Sequence, residues 1–140
     1  MAKIVCAGMA CLDYLFKVQS LPEGGGKFFA TDYRAAPGGP AAAAGIAVAG
    51  LGHEPLFIGR LGDDQVGRDI LRYLEDKGVD ASHVRLVAGQ TSQVSAVIID
   101  QTGERQIINY SSSSLEPMSR GSIVSSAVTV VVSVGIAATV

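Results

Sequence analysis

Cysteine is scarce: in 140 residues only Cys6 and Cys11 occur. With no second cysteine pair and no His-rich stretch beside them, they make neither a zinc site nor a disulfide framework. A reducing, cytoplasmic setting is the simplest home for such a chain. Both are read as small packing residues. Basic residues are few and dispersed as well. The 11 Lys and Arg against 13 Asp and Glu leave a net charge of −2. Without a cluster of cations to neutralise phosphates, nucleic acid is excluded as a partner. A membrane-length apolar run is also missing. Residues 121–140 are the one uncharged stretch long enough, and Ser122, Ser125, Ser126, Thr129, Ser133 and Thr139 interrupt it, so no membrane partner is expected. The start, MAKIVCAGMACLDYL, holds a short apolar run cut off by Asp13, which reads as a buried strand and not as an export signal. His53 and His83 have no Cys or carboxylate partners at ligand spacing, and no metal site is expected.

What is present describes an ordinary globular protein, 48% hydrophobic and 17% charged, of a length that suits one domain. Apolar runs predict strands at residues 3–9, 14–18, 55–58 and 84–87, and alternation predicts another at 27–34. A hairpin is expected from residues 94–100 and 104–110 around Gln101-Thr102-Gly103. Helices are expected at residues 41–51, closed by Gly50 and Gly52, and at 65–77, capped by Asp63 or Asp64 and stopped by Gly78. Strand and helix thus alternate as in an α/β protein with a parallel sheet, with extended pieces left over for a separate small sheet. Residues 127–134 read as a buried strand. Every charged residue falls between Lys3 and Arg120, so residues 118–140 form an atypical uncharged end, expected to be truncated or altered.

One motif fails and one constellation stands. Gly24-Gly25-Gly26-Lys27 is followed by Phe28 where a phosphate-binding P-loop needs Ser or Thr. Asp13, by contrast, follows the first strand, whose carboxyl end is the edge where parallel α/β sheets bind ligands. Gly38-Gly39 removes side chains where a helix begins, so that backbone N–H groups can approach a hydroxyl-rich or anionic ligand. Small residues up to Gly45 let that helix lie close to the sheet, and Gly52, Gly62 and Asp63 follow.

Taken together, GGPAAAAG, Gly52, Gly62 and FIGRLGDDQVG resemble the signature of the ribokinase-type (phosphofructokinase B) carbohydrate kinases. CLDYLFKV, LPEGGGKFFATDY, TSQVSAVIID and GERQIINY narrow the resemblance to the 6-deoxy-6-sulfofructose kinases, over about residues 1–117. It implies the N-terminal half of a ribokinase-like three-layer α/β sandwich with a small β-sheet lid, formed by segments 14–34 and 92–110. The lid would close over the sugar, excluding the water that competes for the phosphoryl group. Lids of this kind pair edge to edge, which implies a homodimer, with Val97 and Ile99 on the covered side. On the resemblance, Asp13 holds sugar hydroxyls and Gly38 and Gly39 form the substrate-contacting turn. Lys27 and Asn109 would hold the sulfonate, and the third member of that pocket, an Arg, is replaced by Ala138.

The complete family enzyme uses ATP and Mg²⁺. Its Gly-Ala-Gly-Asp turn, with the catalytic base, does not occur in this chain, so no catalytic residue is assigned. The chain is expected to be the substrate-binding and lid half, inactive alone and binding no ATP by itself. The alternatives are a fructokinase or ketodeoxygluconate-type kinase, or a noncatalytic sugar-binding remnant.

Overall fold

The computed structural model describes residues 1–115 and 129–133. Strand β1 (Lys3–Ala7) opens the chain, and β4 (Glu54–Ile58) pairs with it in parallel. Between them the chain makes β2 (Cys11–Lys17), β3 (Asp32–Gly38) and helix α1 (Pro40–Gly50). A short strand β5 (Arg60–Gly62) leads into helix α2 (Gln65–Asp76), and β5 pairs in parallel with β6 (Arg85–Val87). The hairpin of β7 (Val94–Ile99) and β8 (Arg105–Tyr110) follows. A single 3-10 turn spans Ser113–Leu115, and β9 (Thr129–Ser133) lies antiparallel to β1.

Two sheets organise the molecule. One has the order β4-β1-β9, the other β3-β2-β7-β8. Helix α1 packs on β1 and β4, and it can approach closely because its inward positions are Ala41, Ala42 and Gly45. A Cβ at Gly45 would stand 3.3 Å from Val79 Cγ1, so the small residue sets the spacing between helix and strand layer. Helix α2 turns Gly67, Ile70 and Leu74 inward, a one-sided apolar stripe of helical period. These meet Phe57, Leu61 and Val79 in the core. Each such burial contributes ~1.5–3 kcal/mol. The second sheet joins this core by one face only, through Leu12, Tyr14, Ala35 and Val94, and the Tyr73 hydroxyl of α2 donates to the Ala35 carbonyl at 3.1 Å.

The expected α/β architecture with a small accessory sheet is present, and several details differ. The strand expected at residues 27–34 forms instead at Asp32–Gly38, because the ladder with β2 runs from Lys17↔Asp32 to Cys11↔Gly38. Pro37 belongs to that strand without penalty, since β3 lies at the edge of its sheet, where a missing N–H costs no ladder bond. Residues 27–31 are exposed, tied back only by Thr31, whose N–H and hydroxyl donate to the Lys17 carbonyl. Strand β2 starts at Cys11 and therefore contains Asp13. Strand β5, with three residues, is too short to show a period along the chain. The strand expected at residues 127–134 is found as Thr129–Ser133, at a sheet edge and antiparallel, not inside a parallel sheet. Ala138 and residues 116–128 lie outside the described residues. Val97 is only 8% exposed within one chain, so it is already covered and unavailable to a partner.

Candidate functional site

The junction between the two sheets is where the sequence candidates meet. Asp13 is the third residue of β2, and on that strand side chains alternate between the core face (Leu12, Tyr14) and the opposite face (Cys11, Asp13, Leu15). Register then places Asp13 opposite Ala36 on β3 and Ser95 on β7, while Ser95 is opposite Asn109 on β8. Paired residues share a face, so Asp13, Ser95 and Asn109 form one row of polar side chains across three strands.

Gly38 and Gly39 bound this row for different reasons. A Cβ on Gly38 would collide with the Asp13 carboxylate, its nearest neighbour; here glycine makes room for a side chain. Gly39 has φ 92° and caps α1, and a Cβ on it would stand 2.6 Å from the Met9 carbonyl oxygen. Positive φ and close backbone approach both demand glycine there. Beyond it, Pro40 begins the helix and the first bond returned to the turn is from the Ala43 N–H to the Gly39 carbonyl. The N–H groups of Ala41 and Ala42, in the first turn, therefore have no carbonyl of their own helix to bond.

Cys11 is buried, as expected of a packing residue, and it also touches the candidate site. Its thiol donates to Asp13 Oδ1 at 3.3 Å and lies 3.9 Å from the Ser95 hydroxyl. Burial, followed by the charge of Asp13 and the hydrogen bond to it, pushes the Cys11 thiol up to about 12, against a smaller opposing effect of Ser95. The thiol thus remains protonated and a donor across the physiological range. Ser95 itself was missed. The signal in TSQVSAVIID is a serine within an otherwise apolar strand run, on the face that alternates with Val94.

A second polar cluster fixes the root of β7. Asp64, the N-cap of α2, accepts from the Gly67 N–H at 2.8 Å, the Ser92 N–H at 2.8 Å and the Ser92 hydroxyl at 2.7 Å. Burial works against the charge, yet the Ser92 and Gly67 bonds and the nearby Arg68 hold the Asp64 carboxyl below the usual carboxylate range. Ser92 is fully buried and also accepts from the Gly62 N–H at 2.9 Å. This ties the end of β5 and the start of α2 to the strand that carries Ser95.

Of the sequence candidates, Asp13, Gly38 and Gly39 gather at the junction, and Asn109 joins them by register. Lys27 does not: it lies in the exposed stretch between β2 and β3, with its Nζ 5.3 Å above the Phe29 ring. On the same face as Asp13, further along the strands, Leu15, Lys17, Asp32, Arg34 and Ile99 line a cavity of ≈ 310 Å³. Among the described residues no three His, Cys, Asp or Glu side chains gather to hold a metal, and no helix is long and apolar enough to cross a membrane.

An α/β sandwich flanked by a small mixed sheet is the ribokinase-like fold, and in this chain a carboxylate is seated against Gly38 at their junction. The match to the family described as pfkB family carbohydrate kinase covers residues 1–137, and the chain belongs to that family. It is 47% identical over 73 residues to the aminoimidazole riboside kinase of Salmonella typhimurium, covering 52% of this chain and 23% of that one. It is 43% identical over 75 residues to fructokinase-1 of Oryza sativa, covering 54% and 23%. Among solved structures, a ribokinase-like protein of Agrobacterium tumefaciens superposes with a TM-score of 0.81 at 34% identity, covering 87% of this chain and 40% of that one. A fructokinase of Xylella fastidiosa with bound ATP superposes at 0.61 and 28% identity, covering 78% and 33%. The chain thus spans well under half the length of each.

Proposed function

We propose that this chain is the acceptor-binding and lid portion of an ATP-dependent sugar kinase, with a ketohexose of the fructose type as the sugar. The observation that carries the reading is the seating of Asp13 against Gly38, in one register row with Asn109. A carboxylate accepts two sugar hydroxyls at once. An amide nearby donates and accepts, and glycine lets the ring approach the backbone. The presence of fructokinases among the relatives supports fructose as the acceptor in this reading.

In this reading the chain's own residues bind and orient the sugar and exclude water. Asp13 fixes two hydroxyls, the α1 N-terminus offers donors, and the β3-β2-β7-β8 sheet covers the acceptor. In-line phosphoryl transfer also needs a base and a held donor. We assign the base, ATP and Mg²⁺ to sequence outside these residues, so this chain is expected to bind sugar without turning it over. The sheet is further assigned a homodimer role through its free β8 edge, where Ile107, Ile108 and Tyr110 are exposed. The reading places the protein in the cytoplasm.

A second reading, 6-deoxy-6-sulfofructose as the sugar, is favoured by Asn109 alone. That residue stands on the site's face, whereas Lys27, its intended companion, is not brought there by register. Calorimetric titration of the chain with fructose, ribose and 6-deoxy-6-sulfofructose tests both readings. Fructose binding lost in Asp13→Asn supports the first; equal binding by the variant and the unaltered chain overturns it. Preference for the sulfonate, abolished by Asn109→Ala, replaces the first reading with the second.

A further inference from the structure

Ser95 is 8% exposed, and among the described residues its hydroxyl has one side-chain neighbour within bonding reach, the Cys11 sulfur at 3.9 Å. That is the long limit for a hydrogen bond to sulfur, and a weak partner for a buried hydroxyl. The bonding direction follows from proton count. A thiol has one proton, and Cys11 gives it to Asp13 Oδ1. The contact between Cys11 and Ser95 therefore has the serine as donor, and both lone pairs of the serine oxygen remain free.

Those lone pairs belong to the row that the sugar-binding reading gives to the ligand. Ser95 is the middle member of the row Asp13, Ser95, Asn109, whose outer members are separated by two inter-strand spacings, about 10 Å between Cα atoms. That span matches a hexose laid along the row, with a carboxylate at one end and an amide at the other. We propose that Ser95 is a third substrate-contacting residue, accepting a hydrogen bond from a sugar hydroxyl that lies between those held by Asp13 and Asn109. The proposal rests on the sugar-binding reading of Asp13. It makes Cys11 the group that keeps the serine oriented: by accepting the serine hydrogen bond and donating its own to Asp13, the thiol leaves acceptors, and no donor, facing the sugar.

A hydroxyl contact is tested by removing either partner. Fructose and its monodeoxy analogues are titrated into the full chain and into Ser95→Ala, Ser95→Thr and Asp13→Asn, with thermal melts recorded for each. Ser95→Ala is expected to weaken fructose about two- to tenfold, the effect of one neutral hydrogen bond. One deoxyfructose, lacking the partner hydroxyl, should bind Ser95→Ala and the unaltered chain alike, and Ser95→Thr, which keeps the acceptor, should restore the preference for fructose over that analogue. Loss of affinity by the same factor for fructose and every analogue marks a structural serine and overturns the proposal, as does unchanged fructose binding. Asp13→Asn separates the two levels: if it abolishes fructose binding while Ser95→Ala has no effect, the Ser95 contact alone is wrong. Where Asp13→Asn binds fructose normally, or the unaltered chain does not bind it, the sugar-site reading falls and the Ser95 contact with it.

Discussion

Gly38 and Asp13 occupy space that only one side chain can fill: a Cβ on the glycine would lie inside the carboxylate of Asp13. The two residues sit on neighbouring antiparallel strands near the junction of the sheets, where Gly38 pairs with Cys11 and Ala36 with Asp13. Because the backbone of Gly38 is not in the left-handed region, the conflict is one of volume and not of dihedral strain.

Gly38→Ala is therefore expected to displace the Asp13 side chain while leaving the strands paired. Sugar affinity should fall more than tenfold, and the melting temperature should move little in comparison, since overpacking at a partly open site relaxes by rotating one carboxylate. Calorimetry together with circular dichroism melts checks this. A large drop in melting temperature with unchanged affinity would contradict it.

The Asp64–Ser92 pair is expected to carry stability. Ser92→Ala removes a buried hydroxyl bonded to a carboxylate and should cost ~1.5–3 kcal/mol in urea unfolding, the range of hydrogen bonds to charged groups. The pH dependence follows in sign. Asp64 titrates lower in the folded protein than its ordinary value, so its contribution is complete above about pH 4 and is lost as pH falls through the folded-state value. The Ser92→Ala variant should consequently lose less stability on acidification than the unaltered chain.

Cys11 should resist alkylation. With its thiol pushed up to about 12, about one molecule in 10⁴ is a thiolate at pH 8, and thiolate is the reactive form. Asp13→Asn removes the charge that helps raise it, so iodoacetamide should label Cys11 faster in that variant, measured by peptide mass spectrometry. Equal rates would show that the thiol is not coupled to Asp13.

The β8 edge gives a test of self-association. Replacing Ile108, 69% exposed, by Lys should reduce the mass seen by light scattering from dimer to monomer without lowering the melting temperature. Val97→Lys should unfold the chain instead, because that side chain is buried within one protomer. An Ile108→Lys protein of unchanged mass would remove the edge from the proposed interface.

Much of this molecule was readable in order along the chain. The period of α2, its Asp64 cap and Gly78 stop, the apolar β1 and β4, and the turn at Gln101-Thr102-Gly103 are local signals, set by burial of one face and by what a few neighbouring residues can adopt. Asp13, Gly38 and Gly39 stood out for the same reason, as a carboxylate after a strand and glycines before a helix.

What the chain alone determined is where most strands and helices fall and which residues carry groups able to bond a hydroxyl. Tertiary structure decided which of them meet. The register of β2 against β3 moved the third strand from residues 27–34 to Asp32–Gly38 and left Lys27 outside the ladder, a choice made by pairing energies between residues some twenty apart. Pairing of β2 with β7, across a separation of about eighty residues, put Ser95 beside Asp13 and its hydroxyl near Cys11. No period in the sequence encodes that contact, because register is set by which faces two distant strands bury together.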